Sequence, residues 1–112
     1  MMDKEVSKNE LTLFKLKKIE LINNIGIYER FVNWVIGEFD LFLKNESKKL
    51  EVYFPNGQFY IGNFEDDKNE LNIKILVEGK SSLVCKKIML QLENIYQHVL
   101  LFNKNKTNDN NS

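Results

Sequence analysis

The stretch LEVYFPNGQFYIGNF at 50–64 limits the fold more than any other part of this chain. Asn56-Gly57 sits between two β-prone runs. Such a pair is the strongest short-range hairpin signal, because a type I′ turn needs φ > 0 at both central residues. A loop of Asn56 and Gly57 sets the register. Phe54 then faces Phe59, Tyr53 faces Tyr60, Val52 faces Ile61, and Glu51 faces Gly62. Side chains alternate along a strand, so Leu50, Val52, Phe54, Phe59 and Ile61 share one face, read as core. Glu51, Tyr53, Tyr60 and Gly62 take the other. Pro55 adjoins the turn, where its missing donor costs little.

LNIKILVE at 71–78 reads as a further strand. Leu71, Ile73, Ile75 and Val77 face one way; Asn72, Lys74, Leu76 and Glu78 face the other. EDDKNE at 65–70 is the polar connection. A strand at 38–44, with Phe39, Leu41 and Leu43 inward and NESKK at 45–49 as its turn, extends the meander toward the N-terminus. Residues 28–44 also fit a helix, since Glu29, Arg30, Asn33, Gly37 and Asp40 recur opposite Phe31, Val35, Phe39 and Phe42. Gly37 reconciles the two by ending a helix at 28–36 and opening the strand. Residues 10–25 carry Leu11, Phe14, Leu21, Ile22 and Ile25 at helical spacing, and helix is the reading adopted, although TLFKLKKIELI also suits a strand.

Residues 81–102 form the clearest helix. Gly79 breaks the preceding strand, and Ser81 or Ser82 caps the helix. Val84, Cys85, Ile88, Met89, Leu92, Ile95, Tyr96 and Val99 make a wide apolar face for the inner side of the sheet. The expected architecture is α+β: an antiparallel meander of three to four strands on a long C-terminal helix, with N-terminal helical segments. One domain spans 10–102, between a flexible N-terminus at 1–9 and a disordered Asn/Lys-rich tail at 103–112.

Charge narrows the function. Sixteen basic residues balance sixteen acidic ones. All the basic residues except Arg30 are lysines, which argues against the broad cationic footprint and Arg forks of nucleic-acid recognition. With one cysteine, Cys85, no intrachain disulfide forms. MMDKEVSKNE at the start is charged and is no signal peptide. No apolar run approaches the ~18 residues that span a membrane. The expected setting is cytoplasmic.

No set of residues assembles a catalytic centre, so a non-enzymatic protein is expected. His98, the only histidine, falls on the polar side of the last helix without an orienting partner or nucleophile. Cys85 lies on the apolar face, as a small buried hydrophobe does. One Cys and one His build no structural zinc site. Glu65, Asp66, Asp67 and Glu70 lack the EF-hand spacing and its glycine, so they read as a solvated loop or as a patch for a basic partner. The glycines form no phosphate-binding motif, and no cofactor is implied.

Two features exceed a plain core. Tyr53, Tyr60 and Leu76, with Phe42, gather on the outer sheet face, and tyrosine offers rigid apolar area with a polar tip. That face is either a partner surface or covered by the N-terminal segment. Leu83, Leu90 and Leu101 form a row opposite the core face of the last helix. Their cover is the N-terminal segment, a partner, or a second protomer in a homodimeric adaptor or secretion-chaperone-like protein.

The compact α+β body, the Asn/Lys/Ile-rich composition and the EFDLFL…LEVYFPNGQFYIGNF meander resemble small immunity proteins of bacterial toxin–immunity systems, including contact-dependent growth inhibition. The resemblance covers most of 10–102. It implies an inhibitor that binds a cognate toxin domain, often a nuclease, and occludes its active site. Many such toxins are basic, so an acidic or aromatic surface is the expected contact. Tyr53, Tyr60, Glu65, Asp66, Asp67 and Glu70 are the candidate partner-binding residues.

Overall fold

A computed structural model describes residues 13–46 and 49–111, with side chains to Phe102. Its order is β1 (Phe14–Leu21), α1 (Ile25–Glu38), β2 (Leu43–Asn45), β3 (Leu50–Phe54), β4 (Gly57–Glu65), β5 (Leu71–Gly79) and α2 (Ser82–Asn111). The strands form one antiparallel sheet in the order β1-β5-β4-β3-β2. The class is the α+β expected, with five strands rather than three to four. The expected flexible segment 1–9 lies outside the described residues.

The added strand is β1, where the sequence suggested a helix. Its side chains alternate between more and less exposed from Phe14 to Leu21. The alternation serves burial better than a helix would, because Leu16, Lys18 and Glu20 turn toward the helices while Lys15, Lys17, Ile19 and Leu21 turn away. Lys18 tolerates its half-buried position by pairing with Glu20 at 3.4 Å and Glu93 of α2 at 3.2 Å. Those two carboxylates raise its pKa, Glu93 more than Glu20.

Helix α1 starts at Asn24, whose side chain accepts the Ile27 N–H at 3.2 Å, satisfying one orphan donor. The helix continues through Gly37 to Glu38, and the Phe39 N–H closes it on the Val35 carbonyl at 2.9 Å. The strand expected at 38–44 is therefore only Leu43–Asn45. Phe39 reaches the core from the turn, 3% exposed, whereas Leu41 is 93% and Leu43 74% exposed rather than inward.

The hairpin closes two residues earlier along its loop than expected. Phe54 pairs with Gly57, Tyr53 with Gln58, Val52 with Phe59, Glu51 with Tyr60, and Leu50 with Ile61. Pro55 and Asn56 make the turn, and only Asn56 has positive φ, 65°. That is the pattern of a type II turn, with proline presetting the first central position. The shift is by two residues, so both faces survive it. Gly57 is needed for space instead: a Cβ there would enter the Phe54 ring and lie 2.6 Å from the Glu78 carbonyl.

Ser81 caps α2, accepting the Val84 N–H at 3.1 Å. Cys85, Met89, Leu92, Ile95, Tyr96 and Val99 enter the core as expected, while Val84 stays 39% exposed at the first turn. Backbone helix continues to Asn111 through the stretch expected to be a disordered tail. Both helices lie on one side of the sheet. Phe31 of α1 meets Tyr96 of α2 edge-to-face at 5.3 Å, and Phe39 meets Phe59 of β4 at 5.0 Å. These side chains join Val35, Val52, Ile61, Ile73, Ile75 and Val77 in a single core. Each such burial contributes about 1.5–3 kcal/mol. No helix among the described residues is long and apolar enough to cross a membrane.

Candidate functional site

With both helices on the inner side, the described residues leave the outer face of the sheet uncovered. Cross-strand register determines what it displays. Ile19 lies beside Lys74, Lys17 beside Leu76, Lys15 beside Glu78, Tyr60 beside Leu76, Phe64 beside Asn72, and Leu43 beside Tyr53. Ile19, Tyr60, Phe64 and Leu76, with Lys49 and Lys74, border a shallow groove of about 570 Å³. The described part of the N-terminal segment therefore does not cover this face as a helix. Its residues 14–21 extend the face as a strand.

Tyr53 and Tyr60 are diagonal neighbours, each half-buried among polar groups that hold its ring. Tyr53 Oη donates to Glu51 Oε1 at 2.9 Å. That hydrogen bond is the main reason the Tyr53 pKa is raised, ahead of burial. Gln58 Nε2 donates to Tyr60 Oη, and the Lys49 ammonium lies 4.4 Å above the Tyr60 ring. Burial, then Glu78 and Glu51, raises the Tyr60 pKa. Both phenols thus stay neutral at physiological pH and offer fixed aromatic area with a polar tip, the side-chain type that anchors protein interfaces.

The acidic residues behave differently from one another. Asp66 organises the β4–β5 loop: its Oδ1 accepts from the Lys68 N–H at 2.9 Å and the Glu70 N–H at 3.0 Å, and its Oδ2 accepts from Asn72 Nδ2 at 3.0 Å. The Glu70 amide most of all, then Asn72, lowers its pKa. Asn69 takes φ 62° to complete the loop. Glu65, Asp67 and Glu70 remain exposed. The loop follows Phe64 at one end of the sheet, about 20 Å along the strand from Tyr60 at 3.3 Å per residue. The tyrosines and the acidic loop are two parts of one long surface, and the face between them carries Lys15, Lys17, Lys49 and Lys74, with Glu78 beside Lys15 and Glu51 beside Lys49.

Ile19, Lys15 and Lys17 were missed because 10–25 was read as helix. The alternation in KLKKIEL was the available signal. Phe64 was reachable by continuing the hairpin's outer face two residues past Gly62. Phe42, expected on this face, sits in the turn with its ring 5.5 Å from Phe39 and packs against the core. Leu83, Leu90 and Leu101 are 68%, 58% and 57% exposed, so the described N-terminal segment does not cover them either.

Cys85 is fully buried, its thiol 3.8 Å from the Phe14 carbonyl, and burial followed by Glu78 pushes its pKa up. This is the opposite of the electropositive, accessible setting that activates a thiol. The exposed His98 ring tilts against Trp34 of α1, 5.3 Å away. Among the described residues no three His, Cys, Asp or Glu side chains gather where they could hold a metal ion. The chain matches no protein-family model and no curated protein sequence.

Proposed function

We propose that this chain is a non-enzymatic protein-binding module that works through the outer face of its sheet. In its most specific form it is a bacterial immunity protein that neutralises a cognate toxin domain, most plainly a nuclease, by occluding the active site. One observation carries the reading. A rigid β-surface presents Tyr53, Tyr60, Phe64, Leu76 and Ile19 on the side away from both helices. Such a surface supplies aromatic anchors at low entropic cost, with charged residues around them to exclude mispaired partners. From Tyr53 to the β4–β5 loop it is long enough for an interface of ordinary size. Occlusion needs no chemistry from this chain, only a partner whose active-site mouth fits the aromatic strip.

The test is capture from the native source, using the intact chain and the Tyr53→Ala/Tyr60→Ala variant side by side. The reading expects a stoichiometric protein partner held by the first and lost by the second, and an activity of that partner that falls when the intact chain is added. Equal retention by both forms, with the variant still folded, removes the outer face from the mechanism.

A further inference from the structure

β1 leaves one long strand edge open. Its eight residues pair with β5 without interruption, from Phe14↔Gly79 to Leu21↔Asn72, and its other side pairs with nothing among the described residues. The opposite border of the sheet is only the three-residue β2, and shortness is one way proteins blunt an edge. β1 has neither shortness nor a bulge nor a proline. The Ile22 N–H donates to the Leu71 carbonyl at 2.9 Å, which marks a hydrogen-bonded position of the β1–β5 ladder. Such positions alternate, so Lys15, Lys17, Ile19 and Leu21 are the residues whose N–H and C=O groups point away from β5.

We propose that a second copy of this chain occupies that edge, β1 against β1 and antiparallel, about a two-fold axis at Ile19. The two sheets then form one, and residues opposite each other point to the same side. The charges select this register. With Ile19 opposite Ile19 of the second copy, Lys18 meets Glu20 of the second copy, and the symmetric contact repeats it. Centring the pair on Lys17, Lys18 or Glu20 instead opposes a residue to its own like charge, which is unfavourable directly across strands. A lysine facing the covered side, like Lys18, is ordinarily a device against edge pairing. Here Glu20, two residues along and already 3.4 Å from Lys18, supplies the counter-charge that makes one register acceptable. The proposal is independent of the toxin-binding reading. It predicts that the outer faces of both copies join into one continuous surface.

Sedimentation of the intact chain over a wide concentration range is expected to give a dimer. Ile19→Cys places the two thiols about 5.5 Å apart between Cα atoms, within the range a disulfide spans. It is expected to cross-link under mild oxidation. Lys17→Cys and Leu21→Cys alone are not, but a mixture of the two is, because each faces the other. Cys85 is 0% exposed and stays outside the reaction. Glu20→Lys is expected to weaken the dimer about tenfold by opposing lysines twice, and Lys18→Glu/Glu20→Lys to restore it when Glu93→Lys is added to keep an opposite charge beside residue 18. Circular dichroism checks that each variant is folded. A monomer at every concentration overturns the proposal. So does a dimer that cross-links no better at Ile19→Cys than at Lys17→Cys, which would place the second copy elsewhere.

Discussion

Replacing Phe39 by alanine and Leu41 by aspartate separates two accounts of residues 38–44. In a strand with Phe39, Leu41 and Leu43 inward, both replacements empty or charge the core. In the structure Phe39 is 3% exposed and Leu41 93% exposed, on either side of a turn that closes α1. Phe39 holds edge-to-face contacts with Phe59 at 5.0 Å and Phe42 at 5.5 Å. Removing a buried phenylalanine side chain costs about 3–5 kcal/mol, and each ring pair accounts for about 0.5–1.5 kcal/mol of such an effect. Against a total stability of about 5–15 kcal/mol for a domain of this kind, Phe39→Ala is expected to leave a marginal fold. Phe39→Leu keeps most of the volume but loses both ring contacts, and about 1–3 kcal/mol is expected to go. Leu41→Asp changes a residue already in water and is expected to stay within about 0.5 kcal/mol of the parent. Urea unfolding followed by circular dichroism reads all three, with a common slope showing that the same surface is exposed. If Leu41→Asp unfolds the chain as readily as Phe39→Ala, the turn assignment is wrong. If Leu41→Asp leaves the fold intact but abolishes partner capture, the exposed Leu41 belongs to the binding surface.

The hairpin and the β4–β5 loop give two more tests. Gly57→Ala is expected to cost about 1–3 kcal/mol through overpacking against Phe54 and the Glu78 carbonyl, and Pro55→Ala about 0.4–1 kcal/mol through a looser unfolded chain; equilibrium unfolding measures both. Asp66 has a lowered pKa in the folded chain, chiefly from the Glu70 amide. Its contribution is therefore present above the ordinary carboxylate pKa of about 3.9 and lost as pH falls through the lower folded value. The gap in urea midpoint between the intact chain and Asp66→Ala is expected to be open at neutral pH and to close in acid; a gap that persists below both pKa values would show that the charge does not hold the loop.

What the sequence disclosed followed from how local the determining physics was. The faces of β3, β4 and β5 were readable because alternation is a property of each strand alone. The core face of α2 was readable for the same reason. The hairpin register was misplaced because Pro55, which presets the first turn position, competed with the Asn-Gly signal. The faces survived because the displacement was even. Residues 14–21 were misread because their period is ambiguous: Phe14, Leu21, Ile22 and Ile25 suit a helix, while Leu16, Lys18 and Glu20 suit a strand only if β5 is free to receive it. Their partners in β5 lie between 51 residues (Leu21↔Asn72) and 65 residues (Phe14↔Gly79) further on, beyond the reach of any local pattern. Gly37 suggested a helix end, but the Phe39 side chain entering the core carries α1 one turn-end further, to Glu38.

The same misreading concealed the character of the candidate site. With 10–25 as a helix, the outer face held Tyr53, Tyr60, Leu76 and Phe42, and its border was undefined. With 14–21 as β1, Ile19 extends the apolar strip and Lys15 and Lys17 join Lys49 and Lys74 around it. Lys15, Lys17, Lys49 and Lys74 outnumber Glu51 and Glu78 on this border, which favours a partner with more acidic than basic groups around an apolar centre, since unlike charge steers encounter and like charge is costly at contact. The exposed Glu65, Asp67 and Glu70 favour a basic contact, but at the far end of the face. Asp66 is largely committed to the loop, because its carboxylate accepts three hydrogen bonds there. A partner that covers the whole surface must therefore carry both signs, acidic over the β1–β5–β4 face and basic near the β4–β5 loop. A uniformly basic toxin domain would be matched at the loop end and at Glu51 and Glu78 but opposed by the lysines between them. In the immunity reading, the charge layout of the toxin's active-site mouth is consequently constrained by this chain, and reversing Lys17 and Lys74 should slow association with a partner that uses the full face while leaving a loop-end contact unchanged.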